Sequence, residues 1–224
     1  MNRLIAFLIV LILGVLAVYF LNRNAAKNKP LPVISPADVN PLLVDESIQR
    51  KKGGHYILDF ALTDQRGRTF SKEMVEGKIV VVNFFFTTCP TICPAMNSQL
   101  KRVYEVYKNH EEIFFLSHTV MPEIDSSEIL FQYAERLGVN HDKWIFLTGS
   151  KEELYRLARK SYLAAPAIGD KSFSAHAEGN DFVHTENLVL VDRKGRIRGL
   201  YDGLNKIRVD ELIADLSKLI VQEN

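Results

Sequence analysis

The sequence lacks an excess of charge of either sign. Its 224 residues include 28 Lys and Arg and 27 Asp and Glu, which gives a formal net charge of +1. Without a basic excess there is no electrostatic reason to expect a nucleic-acid partner, and that class of function is excluded. Cysteine is also scarce, since two residues are too few for a disulfide scaffold or for a structural zinc site made of thiolates alone. Any cysteine chemistry must therefore come from one pair.

One run made almost entirely of apolar residues lies near the amino terminus. The eighteen residues 4–21 carry no charge, and as a helix they would extend about 27 Å at about 1.5 Å per residue. This length just crosses a bilayer, and no convincing signal-peptide cleavage site follows it. The run predicts an uncleaved transmembrane anchor in residues 1–22. Basic residues flank it on both sides, so charge alone does not fix its orientation.

Residues 23–54 have little periodicity, and four prolines interrupt them: Pro30, Pro32, Pro36 and Pro41. This composition predicts an extended stem. The folded domain is then expected over residues 55–224, which is long enough for one hydrophobic core.

The pattern of the domain predicts a mixed α/β fold. The apolar, β-rich residues 79–86 indicate a central strand covered on both faces. A helix and a second strand follow, and together they form a parallel crossover unit. Two hairpins flank this unit, one turning at Gly67 and one between Asp192 and Gly195.

Two further helices begin at capping-type sequences, Asp125 with Glu128 and Ser150 with Glu153. Residues 164–183 then show no regular pattern, and a loop of this length inside a compact domain is usually functional or mobile. An amphipathic helix over residues 209–220 closes the chain. The element order is that of a thioredoxin-like fold with an added amino-terminal hairpin and a hairpin insertion.

The two cysteines stand directly after the predicted central strand, in the sequence Phe86-Thr87-Thr88-Cys89-Pro90-Thr91-Ile92-Cys93-Pro94. Ligands of open α/β sheets bind at this carboxyl end of the strands. The i, i+4 spacing at a helix start places both sulfurs on one side of the chain, close enough to form a disulfide or to hold one metal ion. Unpaired amides there favour thiolates, which serve metal binding and thiol exchange equally.

From the residues alone, other uses of the pair stay open. A structural disulfide or two buried thiols is the plainest, although a bridge that closes so few residues removes little entropy from the unfolded chain. Thioredoxin-type catalysts separate their cysteines by two residues, whereas three intervene here. A peroxidase motif needs a proline where this chain has Val82. Neither enzyme pattern fits cleanly.

The motif Phe-Thr-x-Cys-Pro-x-x-Cys-Pro, ending at Pro94, resembles the signature of the Sco/SenC family. The similarity extends from about Phe60 to the final helix and includes the turn at residues 64–67 and the sequence Leu147-Thr148-Gly149. The resemblance implies a thioredoxin-like domain that is tethered by one amino-terminal membrane helix and exposed outside the cytoplasm. It also implies copper binding and a role in assembling the copper-A centre of cytochrome c oxidase. For this chain, the periplasmic side of a bacterial inner membrane is the expected location.

In that family a histidine after a long loop is the third metal ligand, and the match here is His184. The resemblance therefore implies a copper site formed by Cys89, Cys93 and His184. His176, in the same loop, is a candidate secondary ligand. The remaining histidines have plainer explanations: His55, His110 and His141 fall in turns or element ends expected to be exposed, and His118 packs within a strand.

Two thiolates and one imidazole suit copper, because soft sulfur favours Cu(I) and Cu(II) accepts the same donors with an added oxygen or nitrogen ligand. Two positions depart from the family pattern. Val183 replaces the aspartate that commonly precedes the ligand histidine, which removes a carboxylate able to orient the imidazole. Met121 replaces an acidic residue, either as a packing side chain or as a soft thioether near the copper.

The sequence thus predicts a membrane-anchored copper chaperone rather than an enzyme. Its expected partner is the copper-A subunit (subunit II) of cytochrome c oxidase, and copper donors or thiol-disulfide proteins are further candidates. A rival prediction is a metal-free thiol:disulfide oxidoreductase that uses Cys89 and Cys93 as a redox pair on extracytoplasmic cysteines. A copper-responsive sensor is a third. A requirement for His184 would distinguish the chaperone from the oxidoreductase.

Overall fold

The computed structural model describes Phe7 and residues 11–18, 30–164 and 186–222. Phe7 and residues 11–18 are helical. Among the residues so described, no helix combines the length and the apolar character needed to span a membrane. Half of the residues in the predicted anchor, residues 4–21, lie outside the described residues. A compact unit begins at Pro32 and includes all the elements that follow.

A mixed seven-stranded sheet forms the centre of this unit, in the order β2-β1-β5-β4-β3-β6-β7. The strands are β1 Ala61–Asp64, β2 Thr69–Ser71, β3 Ile79–Phe85, β4 Ile113–Thr119, β5 Trp144–Thr148, β6 Asn187–Val191 and β7 Ile197–Asp202. Strands β3, β4 and β5 are parallel, and the hairpins β1–β2 and β6–β7 join them antiparallel on either side. Both hairpins and the crossover unit are as predicted. Every residue of β3 is buried, which confirms its prediction as a central strand.

The helices of the unit are α1 Ile92–Tyr107, α2 Ser127–Leu137, α3 Lys151–Arg156 and α4 Lys206–Gln222, and α3 continues as a π-helical turn over Leu157–Ser161. The Ser150 hydroxyl accepts a hydrogen bond from the Glu153 amide at 3.2 Å, which confirms the predicted cap of α3. Helix α2 is instead capped by Ser126. The predicted start at Asp125 is therefore wrong, because that carboxylate is used elsewhere.

The two faces of the sheet are covered differently. On one face, α1 and α2 pack over Asn83 and Phe85: Asn83 hydrogen-bonds α1, and the Phe85 ring lies 5.3 Å from that of Tyr133 in α2. On the other face, the ring of Tyr162, just beyond the π-helical turn, lies 5.8 Å from Phe84. Irregular chain before β1 completes this second cover, with Phe60 packed 6.1 Å from His118.

The compact unit begins earlier than the predicted boundary at His55. The Ile34 amide donates to the Ile197 carbonyl of β7 at 2.8 Å, and Arg198 Nε donates to the Pro32 carbonyl at 3.0 Å. The side chain of Val44 is fully buried. Residues 32–54 therefore pack on the domain, where the sequence predicts an extended stem over residues 23–54.

Three of the histidines in the described part of the chain are buried in the unit. His118 is completely buried, which confirms its prediction as a packing residue. His55 and His141 are buried as well, so the prediction that they are exposed is wrong. His55 Nε2 hydrogen-bonds the Ser161 carbonyl at 2.8 Å, and His141 Nε2 lies 2.6 Å from a Glu135 carboxylate oxygen. Ser161 is distant from His55 in sequence, whereas Glu135 lies in the helix that precedes His141. Each partner offsets the cost of burying an imidazole.

Candidate metal centre

The cysteine loop, residues 86–91, connects the carboxyl end of β3 to α1. Cys89 lies in this loop, and Cys93 is the second residue of α1. The Cys93 amide donates to Cys89 Sγ at 3.3 Å, and the Cys89 amide donates to the Phe86 carbonyl at 3.4 Å. The sulfur of Cys89 therefore sits at the amino terminus of α1, where the first amides have no partner within the helix. The pair that the sequence predicts to act together is adjacent at the expected end of the sheet.

Both cysteines are free thiols and almost inaccessible, with Cys89 6% and Cys93 4% exposed. Burial raises the pKa of the Cys93 thiol well above its ordinary value. A hydrogen bond from the Phe86 backbone acts in the opposite direction, and the nearby Cys89 and Asp125 raise the pKa further. Cys93 is therefore a neutral thiol at neutral pH when no cation is bound. A bound metal cation would replace that proton and compensate the buried negative charge.

Asp125 attaches the cysteine loop to the neighbouring strand. Its buried carboxylate accepts hydrogen bonds from the Thr87 amide at 3.2 Å, from the Thr87 hydroxyl, and from the Thr119 hydroxyl at 2.5 Å. Thr87 stands two residues before Cys89, and Thr119 ends β4. This contact holds the loop at a fixed place against the sheet. Sequence reasoning missed it, because an aspartate before a helix is as readily explained as a cap.

A chain of buried hydrogen bonds lies beneath α1. Trp144 Nε1 donates to Ser117 Oγ at 2.7 Å, Ser117 Oγ donates to Asn83 Oδ1 at 2.5 Å, and Asn83 Nδ2 donates to Asn97 Oδ1 at 3.0 Å. Asn97 Nδ2 then donates to the Tyr133 hydroxyl at 2.8 Å. These bonds fix the rotation of α1 on the sheet and so the direction of Cys93. The one visible sequence signal is a polar Asn83 in an otherwise apolar strand.

Tyr133 ends this chain close to the thiols. Burial raises the pKa of its phenol, the hydrogen bond from Asn97 lowers it, and the nearness of both cysteines raises it further. The phenol is thus a neutral group beside the pair.

Met121 contributes its backbone to the turn after β4. Its amide donates to Thr119 Oγ1 at 2.9 Å, and its carbonyl accepts from the amides of Ile124 and Asp125 at 3.0 and 2.9 Å. The side chain is buried. This turn directs Asp125 toward the cysteine loop, which places an acidic residue next to the thiols.

The predicted third ligand, His184, and the candidate secondary ligand, His176, both lie outside the described residues. Elsewhere in the chain, where the structure is described, no group of three or more His, Cys, Asp or Glu residues is placed to hold a metal ion. The structure brings together the two sulfurs. The role of His184 stays a prediction.

The family model described as SCO1/SenC matches residues 48–221. The chain belongs to the SCO1/SenC family. Among its relatives in the family is the SCO1 protein homolog of Bacillus subtilis, which is 29% identical over 160 residues, covering 70% of this chain and 79% of that protein. The family resemblance predicted from the cysteine motif is confirmed.

Solved structures of SCO1/SenC proteins confirm the thioredoxin-like fold. A SCO1/SenC family lipoprotein from Bacillus anthracis is 25% identical with a TM-score of 0.65, covering 76% of this chain and 98% of its own. BsSco is described as a member of the Sco family of cytochrome c oxidase assembly proteins and with a disulfide switch. It is 27% identical with a TM-score of 0.59, covering 74% of this chain and 93% of BsSco. Copper-bound ScoI of Bradyrhizobium japonicum shares the fold. Its identity is 23% and its TM-score 0.57, and the match covers 73% of this chain and 99% of ScoI.

Proposed function

We propose that this protein is a copper chaperone that binds copper through Cys89, Cys93 and His184 and assists assembly of the copper-A centre of cytochrome c oxidase. The observation that carries the proposal is the pair of buried thiols at the amino terminus of α1, with the Cys93 amide 3.3 Å from Cys89 Sγ. Thiolates are soft donors that favour Cu(I) over hard cations. Membership of the SCO1/SenC family supports copper as the cargo.

The position of Glu186 supports His184 as the third donor. Its carbonyl accepts from the Gly203 amide at 2.7 Å, and a methyl group placed on Gly203 would lie 2.9 Å from Met96 in α1. Glu186 thus lies beside the helix that carries Cys93, and at the end of β6 that adjoins the carboxyl end of β3. His184 is two residues away, and two residues extend at most about 7 Å. We therefore infer that the His184 imidazole can reach the thiols.

The proposed ligand set suits transfer better than permanent retention. Two donors are fixed by the sheet and α1, whereas the third belongs to a separate part of the chain. A three-coordinate site of this kind leaves room for a ligand from an acceptor protein to replace one donor at a time. In this proposal the acceptor is the copper-A subunit.

The test is a competition titration of the reduced protein with Cu(I) against a copper-selective chelator. Wild type is expected to bind one copper per chain, and the Cys89→Ser, Cys93→Ser and His184→Ala variants to lose affinity by at least about tenfold each. His176→Ala and His110→Ala are the matched controls and should bind as wild type does. Equal affinity in His184→Ala and wild type would overturn the assignment of the third ligand.

The oxidation state of the pair is expected to control copper binding. A disulfide between Cys89 and Cys93 has no thiolate to offer, so the oxidised protein should bind little copper, and copper-loaded protein should resist alkylation at both cysteines. The free thiols of this structure and the disulfide switch described for BsSco support this part of the proposal. Equal affinity of the oxidised and reduced proteins would favour the metal-free oxidoreductase instead.

We also propose that residues 4–21 remain in the mature protein as an anchor, with the domain outside the cytoplasm. The support is the length and composition of the run and the lipoprotein named among the relatives. Amino-terminal sequencing of the native protein tests it. A mature chain that starts near Ala26 and is released by a salt wash would contradict the anchor.

A further inference from the structure

A cavity of about 210 Å³ lies on the face of the sheet that α1 does not cover. Val80 of β3 and Val191 of β6 line it, and these two residues are paired in the sheet. Val80 is the second residue of β3, whereas the cysteine loop follows the last. The cavity is therefore near the opposite end of the sheet from Cys89 and is separate from the proposed copper site.

The floor of the cavity is apolar. Phe60, Val80, Leu116, Tyr162 and Val191 line it, and each is less than one tenth exposed. An engineered apolar cavity of about 150 Å³ admits benzene, so this volume accommodates one substituted ring or a short alkyl chain. A ligand body placed here would be removed from water, which favours binding in proportion to its apolar area.

The rim of the cavity is charged: Lys72, Lys78, Arg193 and Lys194 face Glu76 and Asp192. Asp192 is already engaged, because its carboxylate binds Arg196 at 2.7 Å and Arg198 at 3.0 Å. Two of the cations are engaged as well, Lys72 with Asp59 at 2.8 Å and Arg193 with Glu112 at 2.6 Å.

Of the charged residues at the rim, Lys78, Lys194 and Glu76 then remain, and together they give the mouth of the cavity a net positive charge. A negatively charged group at the mouth would be attracted by this net positive charge.

We propose that this cavity is a binding site for a small amphiphilic carboxylate. The apolar body of the ligand occupies the floor against Phe60 and Leu116, and its carboxylate accepts charge-assisted hydrogen bonds from Lys78 and Lys194. A neutral analogue of the same shape makes only the apolar contacts. A cationic analogue meets like charge at the mouth.

The test is calorimetric titration of the full-length chain with 3-phenylpropionate, 3-phenylpropanol and 3-phenylpropylamine, three probes with the same ring and chain. The carboxylate is expected to bind with a sub-millimolar Kd, the alcohol at least about tenfold more weakly, and the amine not measurably. Equal affinity for the carboxylate and the alcohol would overturn the proposal. So would the absence of heat with all three.

Variants locate the binding. The double variant Lys78→Glu, Lys194→Glu at the rim should weaken binding of the carboxylate at least about tenfold, whereas Lys108→Glu, at the end of α1 on the other face, should leave binding unchanged. Val75→Phe fills the cavity and should abolish binding. If Val75→Phe does not fold, as judged by circular dichroism, the lysine variant decides alone, and undiminished binding in it contradicts the site. Copper titration of the same variants should match wild type, so that failure here is distinguishable from failure of the copper proposal.

Discussion

At the scale of single residues, the carboxylate of Asp125 connects the cysteine loop to β4. Asp125→Asn keeps the shape but replaces a charged acceptor with a neutral one, and its amide nitrogen faces groups that themselves donate. We expect the free energy of unfolding to fall by roughly 1.5–3 kcal/mol. Urea denaturation measures it. Asp142→Asn, which loses an exposed ion pair with Arg66, is the control and should change stability by less than about 1 kcal/mol.

The buried imidazole of His118 determines how the free energy of unfolding is expected to change with pH. Burial lowers its pKa from 6.5 to about 3, with a weaker opposing influence of the Asn83 backbone, and neither ring nitrogen makes a hydrogen bond in the described part of the chain. In the unfolded chain the imidazole takes up its proton below pH 6.5, whereas in the folded protein it stays neutral down to about pH 3. The stability associated with neutral His118 is therefore complete above pH 6.5 and is lost as the pH falls from there toward 3.

The measurement is the free energy of unfolding between pH 7 and pH 4. One proton contributes a slope of at most about 1.4 kcal/mol per pH unit. His118→Leu is expected to flatten the acid limb by most of one proton. An unchanged acid limb in His118→Leu would show that the imidazole is protonated inside the fold.

At the scale of elements, the π-helical turn Leu157–Ser161 holds the chain that covers one face of the sheet. The Ser161 hydroxyl accepts from the Leu58 amide at 2.9 Å, and its carbonyl binds His55. Ser161→Ala leaves the Leu58 amide without this partner and is expected to cost about 1–3 kcal/mol of stability by thermal denaturation. Ser47→Ala, which removes an exposed hydroxyl bonded to Asp45, should stay within about 0.5 kcal/mol.

The elements differ in how far local sequence determines them. The hairpin turns at Gly67 and Gly195 were predictable, because both need a positive φ, here +74° in each. The cap at Ser150 was predictable for a similarly local reason. The π-helical turn was not, since its residues have the same periodicity as an α-helix. The bond from the Tyr162 amide to the Leu157 carbonyl that defines the turn accompanies tertiary bonds from Ser161 to residues 55–58. The start of α2 was misplaced because Asp125 has a tertiary partner that outcompetes capping.

At the scale of the whole molecule, the unit that starts at Pro32 predicts where the chain can be shortened. Removing residues 1–31 should leave the free energy of unfolding within about 0.5 kcal/mol of the full-length value. Removing residues 1–54 also deletes the buried Val44 and the hydrogen bond from Ile34 to β7, and should cost at least about 3 kcal/mol. Equal stability of the two shortened chains would instead support the predicted boundary at His55.

The start of the compact unit could not be predicted from the sequence alone. Prolines and weak periodicity are equally typical of a free stem and of an irregular segment packed on a domain, and only the contacts with β7 separate the two. The same difference between local and tertiary features applies to the residues of the site. The cysteine pair was predictable because motif and strand pattern are local, whereas Asp125 and the hydrogen-bonded chain below α1 depend on residues brought together by the sheet.

The place where the chain joins the domain has a mechanical consequence. Pro32 is bound by Arg198 of β7, and the neighbouring Ile197 is level with Val191 and Val80 at the amino end of β3. The cysteine loop leaves from the other end of that strand, seven residues or about 20 Å away. Pro32 and the cysteine pair therefore lie at opposite ends of β3. A partner protein that approaches the cysteine loop would contact the end of the sheet opposite to the one that Pro32 joins.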